Sequence, residues 1–483
     1  MTVIPDRFAP VLDDLAPLAS RFRDAGRRLY LVGGAVRDLL VGTDRPRFDL
    51  DLTTDARPPE VKRLLDGVAD AVWTQGEKFG TIGARHVRED GSTETVEITT
   101  FRAEAYADDS RKPHVTFADD VETDLSRRDF TVNAMALELL PGPDGSGHGA
   151  ELVDPFGGVA DLFSATLRTP LTPEISFDDD PLRMLRAARF IAGYGLTPVP
   201  ELVSAVRERG HRLEIVSAER IRDELDKLIV VDRPAAGLWF LVDTGLAEHF
   251  LPELPALRLE HDPIHRHKDV LSHTVAVVEN VRPPAPGGPR YDFRITRLAA
   301  LLHDVGKPST RGYLPGKGTT FHHHDVVGAR LTRKRMEALR YPTADIAAVS
   351  ELVFLHLRFH TYKMGWTDSA VRRYVRDAGP LLAELNVLTR CDCTTRDERK
   401  AARLATRMDD LEARIAELAA AEELAAIRPE LDGNQVMVHL GIAPGPLVGE
   451  ALKFLLDLRL DEGELGTDAA YARLDAWYAD QKP

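Results

Sequence analysis

The sequence predicts an α+β protein in which strands and helices mix over residues 1–160 and helices alone follow. Three observations carry this. Short β-rich runs bounded by turn residues, such as Leu29–Val32, Gly80–His86 and Thr95–Thr100, fall in the first part of the chain. Beyond it the apolar residues recur at helical spacing, as in Leu182, Leu185 and Ala188. At 483 residues the chain exceeds what one hydrophobic core holds, which implies three or four domains.

Composition narrows the function classes. No apolar run reaches membrane-spanning length and the N-terminus, MTVIPDRFAP, lacks the layout of a signal peptide, so a cytoplasmic protein without a membrane partner is expected. Cys391 and Cys393 stand one residue apart, too close for an unstrained disulfide and outside any four-ligand zinc pattern; they read as reduced thiols. A net charge of -15 argues against nonspecific coating of nucleic acid, so any RNA must be held by a local basic patch. No obligate protein partner is evident.

Residues 1–28 read as a packing helix, with Val11, Leu12, Leu15, Leu18, Ala19 and Phe22 at helical spacing. The strand Leu29–Val32 then runs into Gly33 and Gly34, which let backbone N–H groups approach a phosphate, and Ala35–Leu40 reads as a helix whose N-terminus favours the same anion. Arg37 in its first turn is placed to reach that anion. A second short strand carries Asp49 and Asp51 on one face, Leu50 being turned the other way. Two such carboxylates can share divalent ions about 4 Å apart, the arrangement that serves in-line nucleotidyl transfer. Either feature alone is also common in ordinary turns and solvated strand ends.

Together with Arg37 and Asp38, the stretch Leu31–Asp51 resembles the nucleotidyltransferase head of bacterial CCA-adding enzymes and their poly(A) polymerase relatives, the second class of that superfamily. The resemblance implies catalytic Asp49 and Asp51 binding Mg2+. Further on, Pro58–Val68 reads as a helix, and the strands Gly80–His86 and Thr95–Thr100 flank a turn at Asp90-Gly91. Glu97 on the second strand is either a third acid facing the metals or a solvated residue. Ala103–Val115 reads as a loop near the site. The stretch Arg127-Arg128-Asp129-Phe130-Thr131-Val132-Asn133-Ala134 matches the family's second head motif, which implies that Arg128 contacts the incoming nucleotide. Leu152–Gly158 matches the closing turn of the head, and the glycine-rich segment before it reads as a hairpin tip.

In Asp178–Phe190, Pro181 suits a first helical turn and the acids before it suit the positive end of that helix. Asp180, Arg183, Arg186 and Arg189 recur every third residue and share a broad face. A carboxylate accepts from an exocyclic amino group and a guanidinium donates to a ring nitrogen or carbonyl, so Asp180 with Arg183 suits cytosine and adenine. Uracil and guanine would leave the acid unpaired, at roughly 1–3 kcal/mol. An arginine face paired to acids elsewhere fits the spacing equally well. The family's Glu-Asp-x-x-Arg stands here as Asp179-Asp180-x-x-Arg183, and the resemblance implies that Arg186 and Arg189 contact the nucleotide or its phosphates. Ser217–Leu228 resembles the family's neck helices, with Ser217 as N-cap.

Lone histidines on apolar helix faces are mostly core residues. The ordered set His273, His303-Asp304, His324, His356 and Asp392 instead resembles the HD superfamily of metal-dependent phosphohydrolases. That resemblance implies a first metal on His273, His303, Asp304 and Asp392, extended to two by His324 and His356. Imidazole and carboxylate ligands suit a divalent transition metal or Mg2+. Lys307 reads as a phosphate contact or a surface charge. Leu404, Met408, Leu411, Ile415 and Leu418 give an amphipathic packing helix or a dimer seam. The turn Gly441–Gly449 resembles the family's RNA-facing hairpin, or is an ordinary helix joint.

The expected organisation is a nucleotidyltransferase head over 1–160, an all-α neck over 161–255, an HD-type helical domain over 256–398 and a helical tail over 399–483. The implied activity is template-free addition of CCA to the tRNA 3′ end from CTP and ATP. Poly(A) synthesis, A-only or CC-only addition, and HD hydrolysis as the main activity are the alternatives.

Overall fold

The computed structural model describes residues 5–42, 50–87, 93–105, 114–141, 148–259, 269–315, 318–361, 366–395, 397–422 and 427–481. Asp49 and the Asp90-Gly91 turn lie outside the described residues. The chain divides into two units, Met1–Phe250 and Leu251–Pro483.

The first unit is built on β1 (Leu29–Val32), an LYLV run buried at every position and therefore internal to its sheet. It is joined by β2 (Leu50–Thr54), β3 (Ala71–Trp73), β4 (Thr81–Val87) and β5 (Thr93–Thr100). The expected loop after β5 is partly a hairpin: β6 (Arg102–Ala105) pairs antiparallel with β7 (His114–Phe117), and period-two pairing wins over the absence of an apolar pattern. β8 (Ala136–Pro141) and β9 (His148–Val153) form the expected hairpin and complete a seven-stranded sheet of order β3-β4-β5-β2-β1-β8-β9. Among the described residues of this sheet, β2 and β5 are the one parallel pair.

Alternation along the strands separates two faces. Leu29, Leu31, Leu50, Leu52, Ile82 and Ile98 pack with α1 (Ala9–Asp24), α2 (Gly34–Val41) and α3 (Pro58–Leu65). All six apolar residues expected on the inner face of the leading helix are buried in α1. Tyr30, Val32, Phe101 and Ala136 lie on the other face with Val121 and Leu125 of α4 (Val121–Ser126).

After α5 (Gly158–Phe163), the rest of the first unit is helical apart from a short two-strand contact of Thr166–Leu167 with Thr197–Pro198. Asp178 and Asp179 end α6 (Pro173–Asp179) instead of only preceding the next helix, and Asp178 pairs with Arg209 and Arg212 at 3.1 and 3.2 Å. α7 (Leu182–Tyr194) follows Pro181 and buries Leu182, Leu185 and Ala188 as its spacing predicts. α8 (Pro200–Arg209), α9 (Ala218–Ile229) and α10 (Ala235–Asp243) complete the unit; α7 packs on α9 and α10. Ser217 occupies the N-cap of α9 without a side-chain cap bond.

The second unit runs through α11 (Val270–Asn280), α12 (Phe293–Leu302), α13 (His324–Ala338), α14 (Thr343–Leu355), α15 (Arg358–Thr361), α16 (Asp368–Ala378), α17 (Leu382–Asp392) and α18 (Glu398–Glu422). It is not wholly helical, because Arg311–Leu314 pairs with Gly318–Phe321 between α12 and α13. α18 buries Met408, Leu411 and Leu418 and packs against α16 within the chain. The last helices, α19 (Gly433–Leu440), α20 (Pro446–Glu462) and α21 (Thr467–Asp480), share a core of Leu431, Val436, Val448, Leu455 and Leu474. The expected turn is confined to Gly441–Gly445: Gly441 ends α19 in the left-handed region and Pro446 starts α20.

An aromatic contact ties α7 to the segment between α4 and β8. Phe130 and Phe190 have ring centroids 5.2 Å apart and are fully buried. Phe130→Ala should therefore cost about 3–5 kcal/mol of stability, measured by urea unfolding; a variant as stable as the parent would show that α7 does not depend on this contact.

Candidate functional site

The glycine turn forms where β1 ends. Gly33 has φ +73°, and a Cβ there would lie 2.8 Å from Arg128 Nη1, so only glycine lets the guanidinium close onto the backbone. α2 opens at Gly34, which leaves its first-turn N–H groups outside the helix's own ladder. Behind Arg128 stands the fully buried Asp124, whose carboxylate lies 3.6 Å from Arg128 Nη2 and accepts from Arg127 Nε at 3.2 Å. It also accepts from Thr53 Oγ1 at 3.4 Å, tying the arginine pair to β2.

Arg37 turns inward. Its Nε donates to Asp38 at 2.9 Å, its Nη atoms donate to Asn133 Oδ1 and Tyr194 Oη, and its guanidinium lies 4.1 Å from the Tyr194 ring centroid. In this structure it links the glycine turn to α7.

Asp51 lies one residue beyond the β1–β2 register pair Leu31↔Leu52, at the end of β1 that opens into Gly33. Its register partner on β5 is Glu97, and both are exposed. Parallel neighbours in register project to one face, here the face opposite α1 to α3. The structure thus brings Asp51, Glu97 and the glycine turn to one end of the sheet.

On α7 the sequence-predicted residues are held individually. Asp180 Oδ1 accepts from the Leu182 N–H at 3.1 Å and Oδ2 from Arg220 Nη2 at 2.9 Å. Arg183, buried, donates to Ser176 Oγ at 2.9 Å and to the Arg127 carbonyl. Arg186 donates through Nε and Nη2 to Asp129 Oδ2, the former at 2.8 Å, and lies 3.6 Å from Glu224. Arg189 Nε donates to Glu224 at 2.9 Å. Burial pushes the Asp129 carboxyl up, but the Arg186 charge, the Asn133 amide and Arg183 outweigh it and hold it at about 2. Burial likewise pushes Glu224 up, and Arg189, Arg186 and Lys227 bring it below the ordinary carboxylate range. The arginine row is thus an ion-pair network joining the head motif, α7 and α9.

The second unit gathers the histidines. His273, His303 and Asp392 form one group and Asp304, His324 and His356 another, the ligand atoms within each lying within 4.8 Å of one another. Asp304 stands between them: Oδ2 is 3.2 Å from His303 Nε2 and 3.7 Å from His273 Nε2, while Oδ1 is 3.5 Å from His324 Nε2. The Nδ1 atoms of His303, His324 and His356 donate to the carbonyls of Ala300, Phe321 and Val353 at 2.8, 2.8 and 2.6 Å, which leaves each Nε2 as the free lone pair. His273 Nδ1 is held instead by Thr394 Oγ1 at 2.7 Å. Burial lowers His324, and lowers His356 to about 4, keeping both neutral. Burial also pushes Asp304 up, yet His303 and Lys307 hold it well below the usual range. Burial lowers His303 too, but the Asp304 and Asp392 charges outweigh it and raise it above the ordinary imidazole range. Imidazole nitrogens and carboxylates converging in this way are donors that could hold divalent metal. A Cβ on Gly306 would lie 2.1 Å from the His324 carbonyl, so this glycine admits α13 beside the His303-Asp304 turn. Lys307 Nζ lies 2.6 Å from Asp304 Oδ2 and is no free surface charge.

Sequence reasoning missed Asp124, Tyr194, Arg220, Glu224 and Thr394. Only Asp124 left a local signal, standing three and four residues before Arg127 and Arg128 on one helical turn. The others reach their partners across elements far apart in sequence.

The mixed sheet with its glycine turn and carboxylate edge, followed by helices and an HD centre, defines a nucleotidyltransferase with a fused HD domain. Family models agree along the chain: "Poly A polymerase head domain" over residues 29–168, "Probable RNA and SrmB- binding site of polymerase A" over 195–257 and "HD domain" over 270–422. The A-adding tRNA nucleotidyltransferase of Deinococcus radiodurans is 34% identical over 462 residues, covering 94% of this chain and 96% of that protein. The CCA-adding enzyme of Lactobacillus gasseri is 36% identical over 263 residues, 54% of this chain and 59% of that enzyme. The solved structure of the Bacillus stearothermophilus CCA-adding enzyme in complex with CTP shares the fold, with a TM-score of 0.69 at 23% identity over 99% of both chains. The chain belongs to the bacterial tRNA nucleotidyltransferase and poly(A) polymerase family.

A carboxyl held at about 2, below its ordinary 3.8, contributes about 2 kcal/mol that is fully present above about pH 4 and is lost as pH falls through 2. Asp129→Asn should be less stable than the parent at pH 7 by at least that amount, and the gap should narrow between about pH 4 and pH 2. Urea midpoints across that range measure it; a gap independent of pH would remove the ionised Asp129 from the network.

Proposed function

We propose that the chain extends the tRNA 3′ end from CTP and ATP without a nucleic-acid template. The observation that carries this reading is the placing of Asp51 and Glu97 on the open sheet face at the Gly33 turn. Two Mg2+ ions held by Asp49 and Asp51 would supply charge to the attacking hydroxyl and the leaving pyrophosphate. The first-turn amides of α2, Gly33, Gly34 and Arg128 cradle the triphosphate. The RNA 3′ hydroxyl attacks the α-phosphate and gives its proton to solvent, a new phosphodiester forms, and the bond between the α-phosphorus and the bridging oxygen breaks, its electron pair leaving on pyrophosphate. Asp180 and Arg183 read the base edge, and Arg186 and Arg189, tied to Asp129 and Glu224, hold α7 in register beneath it. Arg37 fixes the turn against Tyr194.

Full CCA addition is the first reading. Addition of the terminal A alone is the second, favoured by the similarity over nearly the whole chain to an enzyme named A-adding. Purified protein with Mg2+ and tRNA ending before its CCA should add two residues from CTP and a further A when ATP is present. Extension only of a CC-ended tRNA, by one A, would establish the second reading, and a long ladder from ATP a poly(A) polymerase. Asp51→Ala should reduce transfer at least about 1000-fold without lowering the melting temperature; retained transfer would sink the metal assignment.

The HD unit we read as a two-cation centre able to hydrolyse phosphoesters. The protein stripped with chelator and reloaded with Mn2+ should bind two ions there, and His356→Ala should remove one. Equal stoichiometry in parent and variant would refute the second site.

A further inference from the structure

Arg220 lies in Ser217–Leu228, a stretch to which the sequence assigns a neck helix and no contact with the nucleotide. Its Nη2 nonetheless donates to Asp180 Oδ2 at 2.9 Å, and Oδ1 of the same carboxylate accepts the Leu182 N–H at 3.1 Å. The two contacts come from different elements and fix the carboxylate's rotation. Each oxygen keeps a lone pair for a further donor. Arg220 and Glu224 lie four residues apart on one face of α9. Glu224 is clamped to Arg189 at 2.9 Å and lies 3.6 Å from Arg186, so α9 is held against α7 where Arg220 meets Asp180. The arginine side chain is 54% exposed, and an ion pair this open adds little to stability. Its consequence lies in where it holds the acid.

We propose that Arg220 is a specificity-determining residue, which orients the Asp180 carboxylate so that it accepts the exocyclic amino group of cytosine or adenine. Arg220 does not itself touch the base; it is a positioning residue acting through Asp180. This rests on the reading of Asp180 as a base-reading group. Without Arg220 the carboxylate swings about its remaining contact, and the penalty that a uracil carbonyl meets at a fixed acid is relieved.

The test is the ratio of kcat/KM for CTP to that for UTP, measured on the full chain with tRNA ending before its CCA. The proteins are the parent, Arg220→Ala, Arg220→Lys, Asp180→Asn and the Asp180→Asn/Arg220→Ala double variant. Arg220→Ala should lower the ratio about tenfold, Arg220→Lys should restore most of it, and the double variant should match Asp180→Asn alone. A parental ratio in Arg220→Ala, or CTP and UTP use falling together, overturns the proposal while base reading by Asp180 stands. If Asp180→Asn keeps the parental ratio, base reading fails and the proposal fails with it. A double variant worse than Asp180→Asn would show that Arg220 does not act through the acid.

Discussion

The buried carboxylate of Asp129 and the Arg186 guanidinium it grips are the contact on which the first unit's site depends. Asp129 follows the arginine pair of the head, Arg186 lies in the middle of α7, and Glu224 of α9 continues the chain of charges to Arg189. A charge removed from water this far is tolerated only when paired, so the network admits one register of α7 against the head. Phe130 beside Asp129 packs on Phe190 of the same helix, adding an apolar contact at the same junction.

Given that register, the function proposed above assigns the remaining groups to two ends of one substrate. The glycine turn, with Arg128 lying on its backbone and Asp124 beneath, presents amides and a guanidinium suited to a triphosphate. The start of α7 presents Asp180 and Arg183, each steadied from outside its own helix by Arg220 and by the Arg127 carbonyl. Arg37 ties the glycine turn to the far end of α7 through Tyr194. Most of the arginines a substrate would attract are therefore structural, and a net charge of -15 is compatible with an RNA-directed fold.

The second unit uses a different device. Three of its histidines take their tautomer from a carbonyl three residues earlier in their own chain, so one turn of backbone both presents the ring and sets which nitrogen faces the centre. Asp304 stands where both ligand groups can reach it, and the approach of Gly306 to the His324 carbonyl brings those groups together.

The sequence by itself determined the class of fold, the inner faces of α1 and α7, the β8–β9 hairpin and which histidines and aspartates gather in the second unit. Those features are written in local periodicity and in motifs whose spacing one element fixes. Only the tertiary structure decided that Arg37 faces inward, that Arg186 and Arg189 pair with Asp129 and Glu224, and that Ala103–Val115 begins and ends in paired strands. It also decided how those histidines and aspartates divide into two groups, with Asp304 between them. The physical reason is the same in each case. A guanidinium or a carboxylate finds its partner through space, and a sequence pattern places a charge on a face without stating what that face meets.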